Sequence, residues 1–261
     1  MVLKITALQT NIFWENIDKN INDLNKEIDT LEDSDLIILP EMFTTGFSMN
    51  AIKLAEEHPG KTLNWMQEIS ARKSTMILGS IPVKDDGFYY NRLYIVNGGE
   101  VQFYDKKHLF TMAKEQDSYS AGKTKIIIKH KGWKILPLIC YDLRFPIWSR
   151  NSVNNNSYDY DILIYIANWP AKRSSAWVDL LKARAIENSC YTLGINRVGI
   201  DGNGIEYDGK SRIFDYLGNR LDNFQPNKAM NTHIVLEKAP LEEYRKKFPV
   251  LEDADPFKLI D

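Results

Sequence analysis

Residues Lys134-Ile135-Leu136-Pro137-Leu138-Ile139 run without a break into Cys140, after which the chain turns polar through Tyr141, Asp142 and Arg144 before Phe145-Pro146. Five of the six residues before the cysteine are apolar, which predicts a strand that stops at the thiol, with a short turn closed by Phe145-Pro146. A strand end beside the start of a helix offers free backbone N–H groups. These, with the helix dipole, favour negative charge on sulfur and on any oxyanion formed beside it. The competing reading is that Cys140 is a small buried hydrophobe. The flanks have to decide between them.

The same pattern recurs. Asp35-Leu36-Ile37-Ile38-Leu39-Pro40 is a short continuous apolar run ending abruptly at Glu41, and residues 160–167 form another, ending in Asn168-Trp169-Pro170. Such runs are typical of strands covered on both sides. A helix is expected over residues 15–31, where Ile17, Ile21, Leu24, Ile28 and Leu31 recur at steps of four and three. Further helices are expected over 62–73, 146–152, 177–189 and 241–247, and strands over 2–8, 190–198, 211–215 and 233–236. Strands 75–83, 88–97 and 100–104 read as a meander joined by Asp85-Asp86-Gly87 and Gly98-Gly99, and 124–130 with 134–139 as a hairpin feeding Cys140. Asn154-Asn155-Asn156 reads as a loop. Residues 199–209 are glycine-rich but lack GxGxxG or Walker spacing, so they read as turns. Strands interleaved with helices imply an α/β fold in which helices cover sheets.

The 261 residues, 44% hydrophobic and 26% charged, show no composition shift that would mark a linker. One domain over 1–261 is expected, with residues 240–261 as a C-terminal helix and tail. A formal net charge of -2 argues against nucleic acid as a partner. Two cysteines, Cys140 and Cys190, give no disulfide framework and suit a reducing compartment. Cys190 reads as core. Met1-Val2-Leu3-Lys4-Ile5 enters a strand-like run directly, without signal-peptide features. No apolar run approaches the roughly 20 residues needed to span a bilayer, so a cytoplasmic protein with no membrane partner is expected. No other His or Cys lies at zinc-like spacing near His108, which reads as a packed, hydrogen-bonded histidine. Neither a metal nor a cofactor is expected.

Three buried strands thus deliver one reactive side chain each at their end: Glu41, Lys106 and Cys140. Alone, Glu41 is a solvated loop charge and Lys106-Lys107 a solvated strand edge, but together the three are chemically complete. A thiol with a pKa near ~8.5 is mostly protonated at neutral pH, so attack on an amide needs a base and a cation to hold the anion. Glu41 suits the base, and Lys106 with the Tyr141 backbone N–H suits the oxyanion. Phe43, Phe47, Tyr141 and Trp169 would wall a compact aromatic cavity. Arg144 and Arg173 would either pair with a substrate carboxylate or brace Asp142 or a loop. A redox-sensor reading of Cys140 lacks a resolving cysteine nearby in sequence.

At these residues the chain resembles the nitrilase superfamily, the carbon–nitrogen hydrolases, through the Glu of LPEMFTTGF, the Lys of DKKHLF and the Cys of ICYDLRFP. The resemblance continues through ANWPAKR, LLKARAIENSCYTLGINRVG and FPVLEDADPFKL. It implies a catalytic Glu41, Lys106 and Cys140, with Glu115 as the second family glutamate that helps orient substrate and base. It also implies a four-layer α-β-β-α sandwich of the nitrilase type, and a homodimer paired through the helices around Cys140 and Trp177. Within the family, similarity to the bacterial omega-amidase branch implies hydrolysis of the terminal carboxamide of a small 2-oxo dicarboxylic acid monoamide. N-carbamoyl-amine hydrolase and nitrilase activities are the alternatives, with a catalytically silent scaffold as the non-enzymatic one. The family commonly has an acidic residue after RFP, where this chain has Ile147, and its DPxG is Asp215-Tyr216-Leu217-Gly218 here.

Overall fold

The computed structural model describes residues 1–154 and 157–259. Asn155 and Asn156 of the expected loop, and the last two positions of the tail, lie outside the described residues. The chain opens with β1 (Val2–Gln9), α1 (Ile17–Asp29), β2 (Leu36–Ile38), α2 (Ala51–Leu54), β3 (Glu56–Glu57) and α3 (Lys61–Lys73). The antiparallel meander β4 (Met76–Asp85), β5 (Phe88–Asn97) and β6 (Glu100–Asp105) follows. A second series comprises β7 (Ile128–His130), β8 (Trp133–Ile139), α4 (Pro146–Ser149), β9 (Val153–Asn154), β10 (Ser157–Tyr158), β11 (Ile162–Ala167), α5 (Ser174–Glu187) and β12 (Tyr191–Asn196). The hairpin β13 (Val198–Ile200) and β14 (Glu206–Asp208), then β15 (Arg212–Phe214), β16 (Met230–Glu237) and α6 (Lys238–Lys247), complete the chain.

Two large sheets form among the described residues, one ordered β16-β1-β2-β4-β5-β6 with β3 beside β4, the other β15-β12-β11-β8-β7, with β9–β10 and β13–β14 as separate two-stranded ribbons. A period of two assigns the faces of the first. Leu3, Ile5, Leu36, Ile38, Met76, Leu78, Leu93 and Ile95 join the same core as Ile135 and Leu136 of the second sheet. The alternate residues Ile37, Ile77, Tyr94 and Val96 pack instead with Ile21, Leu24 and Ile28 of α1 and with Leu63, Met66 and Ile69 of α3. On the far side, Trp177, Leu181 and Ala185 of α5 are buried in the core that includes β12 and β15. The layers are therefore α-β-β-α. At Gly194 in β12, a Cβ would press into Leu181 and Trp177, so this glycine lets α5 lie close against the sheet.

Several expected boundaries move, each for a visible reason. The first helix begins at Ile17 because the Asn16 side chain caps it, accepting the Lys19 N–H at 3.1 Å. The fourth helix stops at Ser149, where Asn151 is captured by Asn188 through an N–H···Oδ1 bond of 2.9 Å. Strand β7 is confined to its three pairs with β8, so residues 124–127 are not strand. The strand that delivers Lys106 is not buried as expected: β6 is an exposed sheet edge in which only Tyr104 is buried, whereas β2 and β8 lie deep in the core.

Candidate active site

Each reactive side chain is turned inward by the backbone just past its strand. Beyond β2, Leu39 N–H donates to Leu78 O at 2.8 Å, and Met42, at φ 44°, donates its N–H to Ser80 Oγ at 2.9 Å. That turn leaves Glu41 with no exposed surface. Beyond β6, the Lys106 N–H bonds to Asn91 O at 3.0 Å while its carbonyl accepts from Gly122 N–H at 2.8 Å. A side chain on Gly122 would collide with the Asp105 carbonyl, so glycine permits this strand end to be clasped. Glu115 opens a short 3-10 turn, Glu115–Asp117, behind Lys114 at φ 56°. Cys140 also has positive φ, 44°, and begins the 3-10 turn Cys140–Arg144.

The four heads converge between the sheets. Lys106 Nζ lies 2.9 Å from Glu41 Oε1 and 3.0 Å from both oxygens of Glu115. Asn91 Nδ2 donates to Glu41 Oε1 at 2.8 Å, and Phe110 N–H donates to Glu115 Oε2 at 2.6 Å. From the second sheet, Asn168 N–H donates to Glu41 Oε2 at 2.7 Å, while Asn168 O lies 3.9 Å from Cys140 Sγ. The backbone of one residue, through its N–H and its carbonyl, thus borders both the carboxylate and the thiol. Behind the cysteine, buried Asp142 accepts from Ile139 N–H (3.0 Å), Tyr104 Oη–H (2.8 Å) and His108 N–H (3.0 Å), with His108 Nδ1 at 2.7 Å. His108 is indeed packed, stacked on Phe145 at 3.8 Å.

Electrostatics correct one expectation. Burial pushes the Cys140 thiol well above its ordinary range, the Glu41 charge adds to this, and Lys106 only partly opposes it. The one-turn helix at Cys140 does not produce a resting thiolate. Burial disfavours the Lys106 ammonium, but Glu115 and Glu41 outweigh it and hold the lysine above its usual range. Burial raises the Glu115 carboxyl, with Lys106 pulling the other way.

Cys140 and Lys106 reach the wall of a cavity of ≈ 760 Å³, which Phe47, Tyr141, Arg144, Trp169 and Arg173 also line. Phe43 does not. It packs beneath the helices, 5.8 Å from Trp65, because the turn at Met42 rotates it to the opposite side of Glu41's strand end. Arg144 does not brace Asp142; its guanidinium lies 4.9 Å over Trp169, and that of Arg173 lies 5.6 Å over Phe110. Among the described residues, neither arginine has a carboxylate partner.

Sequence reasoning missed three parts of the site. Asn91 sits mid-strand with no motif around it, and Asn168 was visible only as one more polar residue at a strand end. The glycine-rich stretch, read as turns, is the β13–β14 hairpin, whose residues 203–207 form a cavity wall. Among the described residues, no group of three or more His, Cys, Asp or Glu is placed to hold a metal ion, and no helix is long and apolar enough to cross a membrane.

A carbon-nitrogen hydrolase family model matches residues 4–239. The chain is 45% identical over 260 residues to omega-amidase YafV of Escherichia coli strain K12, covering 98% of each. It is 32% identical over 258 residues to 2-oxoglutaramate amidase of Bacillus subtilis strain 168, covering 95% of this chain and 96% of that one. Its fold matches that of XC1258 from Xanthomonas campestris, a CN-hydrolase superfamily protein, with TM-score 0.97 and 38% identity over 99% of both chains. With these likenesses extending over nearly its whole length, the protein belongs to the carbon-nitrogen hydrolase family.

Proposed function

We propose that this protein is an omega-amidase, a thiol amidohydrolase that cleaves the terminal carboxamide of a small 2-oxo dicarboxylic acid monoamide such as 2-oxoglutaramate. The observation that carries this reading is the buried Glu41–Lys106–Glu115 cluster beside Cys140, behind a cavity whose two arginines lack carboxylate partners. Two relatives alike over almost their full lengths are named for this activity.

Glu41 takes the Cys140 proton as sulfur bonds to the amide carbon, and the carbonyl π pair moves onto oxygen. Lys106 and the Tyr141 N–H hold that oxyanion. Since one ammonium N–H can serve both Glu115 oxygens and a second Glu41, the third remains for substrate. Loss of one such donor typically costs on the order of 10²–10³ in rate. Collapse restores the carbonyl and breaks the C–N bond as Glu41 returns the proton to nitrogen, releasing ammonia. Glu41 then deprotonates a water that attacks the thioester; the C–S bond breaks, and the thiol is re-formed with the same proton. Glu115 keeps Lys106 charged and in place, and Arg144 or Arg173 receives the distal carboxylate.

We also read residues 1–261 as one domain, and the protein as a cytoplasmic homodimer. Ammonia release from 2-oxoglutaramate, N-carbamoyl-β-alanine and a simple nitrile tests the activity. Turnover of the first well above the others is expected; none of the first removes the substrate assignment.

A further inference from the structure

We infer that Asn91 is a positioning residue that dedicates Oε2 of Glu41 to proton transfer by occupying Oε1. The inference rests on the thiol-hydrolase reading above and begins with the two carboxylate oxygens taken separately. Oε1 accepts from Lys106 Nζ at 2.9 Å and from Asn91 Nδ2 at 2.8 Å, which uses both lone pairs of that oxygen. Oε2 accepts one bond among the described residues, from Asn168 N–H at 2.7 Å. Its second lone pair is left for a proton. The carbonyl of the same Asn168 lies 3.9 Å from Cys140 Sγ, so the oxygen with capacity to spare is the one whose partner residue borders the thiol.

Asn91 is built into the site at two levels. It is fully buried in β5, paired with Pro82 of β4, and its backbone carbonyl accepts the Lys106 N–H at 3.0 Å. One residue therefore fixes the backbone of the lysine and the carboxylate of the base. The same Nδ2 lies 3.5 Å from Glu115 Oε1, spanning the second carboxylate at the long end of hydrogen-bond range. Being neutral, the amide orients Glu41 without adding a second cation to compete for its charge. This comes at a cost, because Asn91 Oδ1 is buried with no partner among the described residues. A residue whose only task was packing would be better served by an apolar side chain.

The test compares wild type with Asn91→Ala, Asn91→Asp and Asn91→Ser. The first readout is the rate of Cys140 alkylation by iodoacetamide against pH, followed by mass spectrometry; it needs no amide substrate. The titratable groups facing Glu41 are Lys106, Glu115 and Cys140, with Tyr119 and Tyr207 also sensing its charge; all remain in the variants. An N–H donor favours the charged carboxylate, so its removal moves the acid limb to higher pH, by about one unit in the Ala variant and further in the Asp variant, whose added carboxylate also faces Glu41. Serine, which keeps a donor on a shorter arm, returns part of that shift. For 2-oxoglutaramate, kcat falls about 10–100-fold with KM nearly unchanged. Cys190, which stays unalkylated while the protein is folded, reports integrity in each sample. An unmoved limb in every folded variant overturns the inference, as does a kcat loss matched by an equal change in KM. A shifted limb in an enzyme that releases no ammonia from 2-oxoglutaramate overturns the substrate assignment and leaves Asn91 in its role.

Discussion

Sending the Cys140 proton to solvent would leave the thiolate, Glu41 and Glu115 gathered around the single ammonium of Lys106. Sending it to Glu41 leaves the charge of the cluster unchanged. In a buried site the second route is far cheaper, which is why the proposed mechanism hands the proton to Glu41. Glu41→Gln keeps the side-chain volume but cannot accept the proton, and ammonia release in single turnover is expected to fall on the order of 10²–10⁴-fold, with some loss of melting temperature because its NH₂ group faces donors where the carboxylate accepted from Lys106, Asn91 and Asn168. The two thiols provide an internal comparison. Burial pushes Cys190 up to about 12, and its sulfur lies against the Arg184 carbonyl and the Thr192 hydroxyl instead of a carboxylate base such as the one proposed for Cys140. Iodoacetamide should label Cys140 and spare Cys190 in the native protein; equal labelling would favour the silent scaffold. Residue identity was readable here, but direction was not. Phe43 and Phe47 look alike in the sequence, but with backbone turns of positive φ at Met42 and Gly46, Phe43 packs under the helices while Phe47 lines the cavity.

At the scale of elements, two clasps hold the strand ends on which the chemistry depends. Asp142 ties the cysteine turn to Tyr104 and His108 of the lysine segment. Asp142→Asn sets an NH₂ group against donors that need an acceptor, and is expected to cost about 1–3 kcal/mol of stability along with kcat, read by urea titration and initial rates. Gly122→Ala forces the loop off the Asp105 carbonyl and displaces Lys106. Its expected signature is a fall in kcat larger than any change in KM, with the fold retained. The strands that carry Glu41 and Cys140 were legible because buried runs are continuous in hydrophobicity and end where polarity begins. Lys106 was legible only through its motif, since β6 is an exposed edge with no such run. The β13–β14 wall was illegible because glycines announce turns without saying what the turn faces. Helix 15–31 was overextended because periodicity is blind to the cap at Asn16.

Across the whole molecule, α6 is fastened to the second sheet by one buried carboxylate. Asp161 pairs with Arg245 at 2.8 Å and Lys238 at 2.9 Å, and Arg245 also donates to Ser189 O and Tyr160 O, each at 2.9 Å. Arg245→Met should lower stability by about 3–5 kcal/mol in urea titration, with kcat of the folded enzyme unchanged. High pH acts more broadly. Cys190, Tyr94 and Tyr191 are each raised to about 12 by burial, from ordinary values of 9.0 for the thiol and 10.0 for the phenols. The unfolded chain releases these protons first, so their stabilising effect is whole below pH 9.0 and drains away as pH climbs towards about 12. The melting temperature should fall through that window, and a flat profile across it would contradict the assignment. Glu41 and Lys106 stand on one sheet and Cys140 on the other, so the catalyst is assembled only where the two meet. A small slip of one slab across its neighbour would separate acceptor from nucleophile without breaking a single strand. Interior side chains such as Leu36 and Ile135, remote from any ligand, thereby become guardians of the reaction rate.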